Sequence, residues 1–176
     1  MNRIGIDIGR VIIEGDGPDT NFVGGTEEQA LAAPAIRGAF DSIARLVARF
    51  GPANVFLVSK CGKRVEARSR TWLAHHGFFE KTGVLPENLH FCRARQLKAP
   101  ICSDLGVTHF VDDRIDVLAF MTAVVPHRFL FGATETDRPG VVPVPTWAAT
   151  EKAIAETISD ASPAEGSPEN AEARAP

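Results

Sequence analysis

Apolar residues form several short, continuous runs along this chain. The runs cover residues 3–13, 54–58, 89–92, 108–111 and 128–131. Runs of this kind are typical of strands that are buried on both faces of a parallel sheet. We therefore predict five parallel strands, and expect residues 3–13 to form the central one.

Between these runs the apolar residues recur at helical spacing. The best example is a set at steps of three and four, which predicts an amphipathic helix from Pro34 to Phe50: Ile36, Phe40, Ile43, Val47 and Phe50. Further helices are expected at about 63–76, after Lys98 and up to Gly106, from the end of the fourth strand to about 123, and at 147–158. A short helical turn is expected at Thr26, a loop at 81–87, and an edge strand or loop at 141–145, where prolines interrupt the pattern.

Strands that alternate with helices predict an α/β fold, a three-layer sandwich around a parallel five-stranded sheet. The pattern indicates one domain over residues 1–158, with a glycine-rich insert at about 14–33. That insert is either a plain connection or a flap that faces a substrate. Residues 159–176 are rich in Ala, Ser, Pro and Glu, and we expect a disordered tail.

The charge composition of the chain argues against two classes of partner, nucleic acids and membranes. The formal net charge is −3, and residues 159–176 carry all of it. The folded part is therefore neutral overall and offers no basic field for nucleic acid and no polybasic patch for a membrane. Three cysteines without a CxxC pair favour a reducing cytoplasm, and no signal-peptide core or membrane-spanning run is present in the sequence.

Polar side chains follow the predicted strands at their carboxyl ends. Asp7 lies within the first run, Ser59 follows the second, Lys98 comes after the third, and Asp112-Asp113 follow the fourth. In open α/β sheets, ligands bind at the rim beyond the carboxyl ends of the strands. A carboxylate, a hydroxyl, an ammonium and a carboxylate pair are thus expected to meet at one rim.

This ordered set resembles the four motifs of the haloacid dehalogenase superfamily, over roughly residues 3–132. The matching segments are Asp7-Ile8-Gly9-Arg10-Val11, Ser59, Lys98 and Asp112-Asp113. The resemblance implies the strand order 5-4-1-2-3 and a Mg²⁺-dependent phosphatase that acts on a small phosphorylated substrate, with nucleotides and sugar phosphates as candidates. The insert at 14–33 is too short for the helical cap domain of larger members.

The resemblance also implies a role for each motif residue. Asp7 would be the nucleophile that forms an aspartyl-phosphate. Mg²⁺ would be held by Asp7, the Gly9 carbonyl and Asp113, with Asp112 as an adjacent partner, because Mg²⁺ prefers a few oxygen ligands. Asp112-Asp113 could equally serve as a helix N-cap.

The remaining motif residues would bind the phosphoryl group. Ser59 would donate to it from a helix N-terminus, or act only as an N-cap. Lys98 would neutralise charge, with three competitors for that role: Lys60, Arg93 and Arg95. The predicted substrate-binding residues are Gly9, Arg10, Ser59, Lys60 and Lys98.

Gly9 departs from the family pattern, which has a second Asp there as general acid and base. Two hypotheses follow: a phosphatase that uses another proton donor, or a phosphate-binding or regulatory module without turnover. The histidine pair His75-His76 offers a substitute base, whereas His90 and His109 lie within predicted strands. A receiver-like or flavodoxin-like protein fits less well, because the acidic pair follows the fourth strand. The substrate and the oligomeric state stay open.

Overall fold

The structure, a computed structural model, describes residues 1–15 and 25–159. Within these residues, six parallel strands form one sheet in the order β3-β2-β1-β4-β5-β6. The strands are β1 (Ile4–Ile6), β2 (Val55–Lys60), β3 (Leu89–Cys92), β4 (His109–Asp112), β5 (His127–Phe131) and β6 (Val141–Val144).

Helices connect the strands and cover both faces of the sheet. They are α1 (Glu27–Leu31), α2 (Ala39–Phe50), α3 (Lys63–His75), α4 (Phe78–Thr82), α5 (Lys98–Asp104), α6 (Ile115–Phe120) and α7 (Trp147–Ser159). One core lies between the sheet and helices α2, α3 and α7, and a second, smaller core lies between the sheet and helices α5 and α6.

The predicted α/β sandwich and the order 5-4-1-2-3 are confirmed. The predicted number of strands is corrected from five to six, because residues 141–144 pair with β5 and extend the sheet by one strand. Pro143 is tolerated there because β6 is an edge strand, where a missing N–H breaks no ladder on the outer side.

The first strand is shorter than predicted. It ends at Ile6, and the backbone then folds into a tight turn in which the N–H groups of Val11, Ile12 and Ile13 all point to the carbonyl of Ile8. The apolar side chains of this turn are buried even though its backbone is not extended, which is why the apolar pattern alone overestimated the strand.

Two helix boundaries also differ from the sequence prediction. Helix α2 begins at Ala39 instead of Pro34, because Ala35 forms a β-bridge with Ile13 and Gly38 adopts a left-handed conformation (φ 80°) before the helix starts. The predicted loop at 81–87 overlaps helix α4, which Phe78 anchors in the core by an edge-to-face contact with Phe40, with centroids 5.1 Å apart.

Part of the predicted insert and nearly all of the predicted tail lie outside the described residues, namely 16–24 and 160–176. The described end of the insert carries α1, which begins at Thr26 with a capping box between Thr26 and Gln29. Within the described ranges, no helix has the length and apolar character required to cross a bilayer.

The three cysteines are free and buried. Burial is the main cause that raises the pKa of each thiol, to about 11 for Cys61 and to about 12 for Cys102, while Cys92 shifts in the same direction. These thiols pack as small apolar groups.

Candidate active site

The sheet brings three aspartates together at its carboxyl edge. Asp7 directly follows β1 and Asp112 ends β4, and these two strands are neighbours, with Ile6 paired to Val111. One carboxylate oxygen from each of Asp7, Asp112 and Asp113 lies within 4.8 Å of the other two. This set is called the carboxylate cluster below.

Lys98 is buried against the carboxylate cluster from the start of α5. Its Nζ lies 2.7 Å from Asp112 Oδ2, to which it donates a hydrogen bond, and 2.9 Å from Asp7 Oδ1. Only 2% of the lysine is exposed to solvent. Burial disfavours the ammonium, but the charges of Asp112 and Asp7 outweigh it, so that the pKa of Lys98 is raised.

The three competing cations lie elsewhere. Arg93 donates to the carbonyl of Cys61 and pairs with Glu66. Arg95 pairs with Asp116, and Lys60 forms no side-chain hydrogen bond or ion pair with the described residues. Of the four cations considered for this role, Lys98 is the one that the described contacts place within 2.9 Å of Asp7 and Asp112.

The carboxylate cluster carries more negative charge than its neighbours neutralise. Burial is the main cause that raises the pKa of Asp112 and that of Asp113, the latter to about 6, and the nearby charge of Asp7 adds to both shifts. Asp7 Oδ1 is buried and lacks a partner with hydrogen-bond geometry, despite its proximity to Lys98. Oxygen ligands this close, with unbalanced charge and an unsatisfied oxygen, fit a hard divalent cation such as Mg²⁺.

Arg10 occupies an unusual backbone conformation beside this cluster. Its φ is 59°, and among the described residues it is the one non-glycine residue with positive φ. The guanidinium Nη2 lies 2.6 Å from Asp113 Oδ2. A left-handed arginine costs about 1 kcal/mol of backbone strain, and such strain is concentrated at functional sites.

Ser59 lies next to the edge but not at a helix N-terminus. It is a buried residue of β2, and helix α3 begins four residues later with Gly62 as its N-cap. Both helix-based interpretations of Ser59 are therefore wrong. Its hydroxyl forms no hydrogen bond with the described residues, and so is free to donate to a ligand.

Neither aspartate of the acidic pair is the N-cap of helix α6, whose N-cap is Arg114 without a side-chain cap hydrogen bond, so the helix-cap interpretation of the pair is wrong. The Oδ2 of Asp112 accepts from Lys98, and its Oδ1 accepts from the backbone N–H of Arg114, the residue that precedes helix α6. Asp113 has a different partner, Arg10.

Histidines are absent from the carboxylate cluster in the described part of the chain. His76 hydrogen-bonds the carbonyl of Leu31 and stacks on the indole of Trp72, and neither partner belongs to the carboxylate cluster. His109 begins β4 and binds Thr108 and Thr157 at the opposite end of the sheet. The geometry therefore gives the suggested histidine base no support.

Two features of the edge were missed in the sequence. Asp116 binds both Arg114 and Arg95, and with Lys60 and Phe120 it lines a cavity at the carboxyl edge of the sheet. The position of Asp116, three residues after Asp113 in the first turn of α6, was a usable signal. The cavity itself depends on how α6 packs against the loop after β3, which the sequence does not reveal.

Comparisons with solved structures identify proteins of similar fold. No protein-family model matches the sequence, and no curated protein matches it. Among solved structures, a haloacid dehalogenase-like family hydrolase of Xanthomonas campestris aligns over 91% of this chain and 97% of its own, with a TM-score of 0.59 and 11% identity.

A proposed haloacid dehalogenase-like hydrolase of Burkholderia xenovorans aligns with a TM-score of 0.52 and 16% identity. The match covers 73% of this chain, which spans 61% of that protein's length. The chain thus has the haloacid dehalogenase-like fold that its four motifs implied.

Proposed function

We propose that the chain is a Mg²⁺-dependent phosphatase that hydrolyses a small organic phosphate monoester through an aspartyl-phosphate on Asp7. Nucleotides and sugar phosphates are the candidate substrates. The observation that carries the proposal is the carboxylate cluster, with its oxygens within 4.8 Å and a buried lysine against two of its members. The haloacid dehalogenase-like fold supports it.

The metal would be held by Asp7, the Gly9 carbonyl and Asp113, with Asp112 beside them. When bound, it supplies positive charge to the phosphoryl group and so favours attack by an anion. Lys98 fixes the orientation of the Asp7 and Asp112 carboxylates, because its ammonium lies within 2.9 Å of both. The hydroxyl of Ser59 donates a hydrogen bond to a phosphoryl oxygen.

The reaction has two displacement steps. An oxygen of Asp7 attacks phosphorus, a new P–O bond forms, and the ester P–O bond breaks as the alcohol leaves with a proton from solvent. Water then attacks phosphorus, the bond to Asp7 breaks, and inorganic phosphate leaves. Gly9 offers no proton in either step, and general acid–base help is worth about 10²–10⁴-fold. We therefore expect slow turnover that is fastest with good leaving groups.

The test is phosphate release from a panel of monoesters with and without Mg²⁺. We expect release that depends on Mg²⁺ and falls at least about a thousandfold in Asp7→Asn, because the amide cannot serve as nucleophile. Asp41→Asn, at an exposed position on α2, is the matched control and should keep full activity. Undiminished release by Asp7→Asn contradicts the assignment of the nucleophile.

The alternative function is a phosphate-binding or regulatory module without turnover. It is favoured by Gly9, which has no acid group, and by Arg10, which binds Asp113 in the place where a metal would compete. On this alternative, Mg²⁺-dependent binding of a phosphate analogue occurs but no phosphate is released.

Restoring the acid distinguishes the two functions. Gly9 lies outside the left-handed region, so a side chain there does not strain the backbone. Gly9→Asp should raise turnover about 10²–10⁴-fold with poor leaving groups, whereas Gly9→Asn, of the same shape but without an acid, should not. Release by the unmodified protein rules out the binding module, and equal rates in both variants rule out the role assigned to the acid.

A further inference from the structure

A cavity of about 390 Å³ opens at the carboxyl edge of the sheet, the edge that also carries the carboxylate cluster. Its lining residues are Lys60, Ala94, Arg95, Gln96, Asp116 and Phe120. Three of its lining residues are close in sequence to residues of the candidate site: Lys60 follows Ser59, Gln96 precedes Lys98 by two residues, and Asp116 follows Asp113 by three. We call this space the rim cavity.

The rim cavity contains hydrogen-bond donors that the protein itself leaves unused. Lys60 and Gln96 form no side-chain hydrogen bond or ion pair with the described residues. The single carboxylate, Asp116, is already bound on both oxygens, at 3.2 Å by Arg95 and at 3.1 Å by Arg114. The charge that remains toward the cavity is positive, so the cavity suits an anion.

The charged residues near the rim cavity also favour binding of an anion there. The end of β2, the first turn of α3 and the segment after β3 carry a single carboxylate, Glu66, which is already paired. They also carry five cations: Lys60, Lys63, Arg64, Arg93 and Arg95. A second cavity of about 440 Å³, in the loop after β5, is instead lined by Glu135, Thr136 and Asp137. Although larger, it repels an anionic ester, so volume does not decide which cavity receives the leaving group.

We propose that the rim cavity binds a second anionic group, a carboxylate or a second phosphate, on the substrate's leaving alcohol. This inference rests on the proposed phosphatase function and narrows its substrate class to small phosphate monoesters with a further negative charge. Lys60 and Gln96 donate to the second anion. The side chain of Phe120, 51% exposed, packs against the carbons between the two anionic groups.

The experiment compares three esters with the same three-carbon skeleton: glycerol phosphate, phosphoglycerate and glycerol bisphosphate. Phosphate release is measured with Mg²⁺ for the whole chain, and the preference is the ratio of kcat/KM to that for glycerol phosphate. We expect a preference of roughly tenfold or more for phosphoglycerate, for glycerol bisphosphate or for both. Only these two esters carry a second anion that can accept a hydrogen bond in the rim cavity. The two charged esters distinguish a carboxylate from a phosphate.

Lys60→Gln is the test variant, because Lys60 is partly exposed and holds no other part of the structure together. It should reduce the preference roughly tenfold. Lys63→Gln removes the same charge three residues away, outside the cavity, and should keep the preference. A preference that both variants lose to the same extent would show only a general field and would overturn the site.

A binding measurement keeps the inference testable without turnover. The thermal unfolding midpoint is recorded with Mg²⁺ and either phosphoglycerate or glycerol phosphate, for the unmodified chain and both variants. A larger shift with phosphoglycerate that disappears only in Lys60→Gln supports the rim cavity even if no ester is hydrolysed, in which case the proposed phosphatase function fails alone. Equal shifts, or better hydrolysis of a nucleoside monophosphate than of either charged ester, overturn the inference.

Discussion

At the scale of single residues, the site depends on a buried lysine between two carboxylates. Lys98 is almost fully buried, and its ammonium is held within 2.9 Å of Asp7 and Asp112. A buried ion pair adds little net stability compared with apolar packing, but removing one partner leaves the other charge buried and uncompensated. The lysine is therefore required by the carboxylates around it.

Lys98→Met keeps the aliphatic length and deletes the charge. We expect the free energy of unfolding without metal to fall by about 3–5 kcal/mol, because Asp7 and Asp112 lose the ammonium that lies within 2.9 Å of both. Urea unfolding of the variant, of the unmodified chain and of Lys152→Met, at an exposed position on α7, measures the difference. An unchanged free energy in Lys98→Met would mean that the carboxylates do not depend on this ammonium.

The aspartates of the site were predictable, whereas for Arg10 only a place at the site was predicted, and not its left-handed backbone or its ion pair with Asp113. Asp7 and Asp112-Asp113 follow apolar runs, and that position alone places them at the carboxyl edge. Lys98 could be ranked above its three competitors only through the resemblance, because its phase on α5 is not readable in so short a helix. The left-handed Arg10 has no sequence signal, since its conformation arises from the turn that Ile8 to Ile13 form.

At the scale of elements, α7 supports the turn that follows β1. The indole Nε1 of Trp147 donates to the carbonyl of Val11 at 2.8 Å, and both residues are buried. This bond joins the last helix to the turn that carries Gly9 and Arg10. The turn thus depends on a helix more than a hundred residues later in the chain.

Trp147→Phe removes the donor and keeps the aromatic ring. We expect about 1–3 kcal/mol less stability, because the buried carbonyl of Val11 loses its partner. Phosphate release should fall as well, since the turn beside the carboxylate cluster loosens. Trp72→Phe is the comparison, because Trp72 donates to the carbonyl of Ala33 and not to the turn, and should lose stability without the same loss of activity. Equal activity losses in both variants would contradict this link.

Most elements could be predicted from periodicity, and the errors have local causes. The continuous runs identified five strands because buried parallel strands are apolar on both faces. The first of these runs extends past its strand because the buried turn after Ile6 is just as apolar. The late start of α2 depends on the bridge between Ala35 and Ile13, a contact between distant residues that no local pattern reports.

At the scale of the whole molecule, a buried histidine ties the sheet to the last helix. His109 of β4 binds Thr157 of α7 at 2.9 Å and stacks on His127, with ring centroids 4.5 Å apart. Burial, and then the neighbouring His127, lowers the pKa of His109 to about 4. The folded protein therefore keeps this ring neutral under conditions in which the unfolded chain charges it.

The free energy of unfolding should fall as the pH drops from about 6.5 to about 4. Over this range His109 is protonated in the unfolded chain but stays neutral in the folded chain. The slope is at most about 1.4 kcal/mol per pH unit. In His109→Gln this contribution is absent, so the difference between the two urea-unfolding free energies should shrink toward low pH. His75→Gln, at an exposed position on α3, should run parallel to the unmodified chain. A parallel course for His109→Gln would contradict the low pKa.

The three thiols of the chain have a practical consequence for work on the intact molecule. A thiol reacts with alkylating probes as the thiolate, and burial withholds both solvent access and that ionised form from Cys61, Cys92 and Cys102. We therefore expect little reaction of the native protein with maleimide probes. A cysteine introduced at the half-exposed position of Phe120 would take a fluorescent label selectively, and its emission would report directly on molecules that enter beside it.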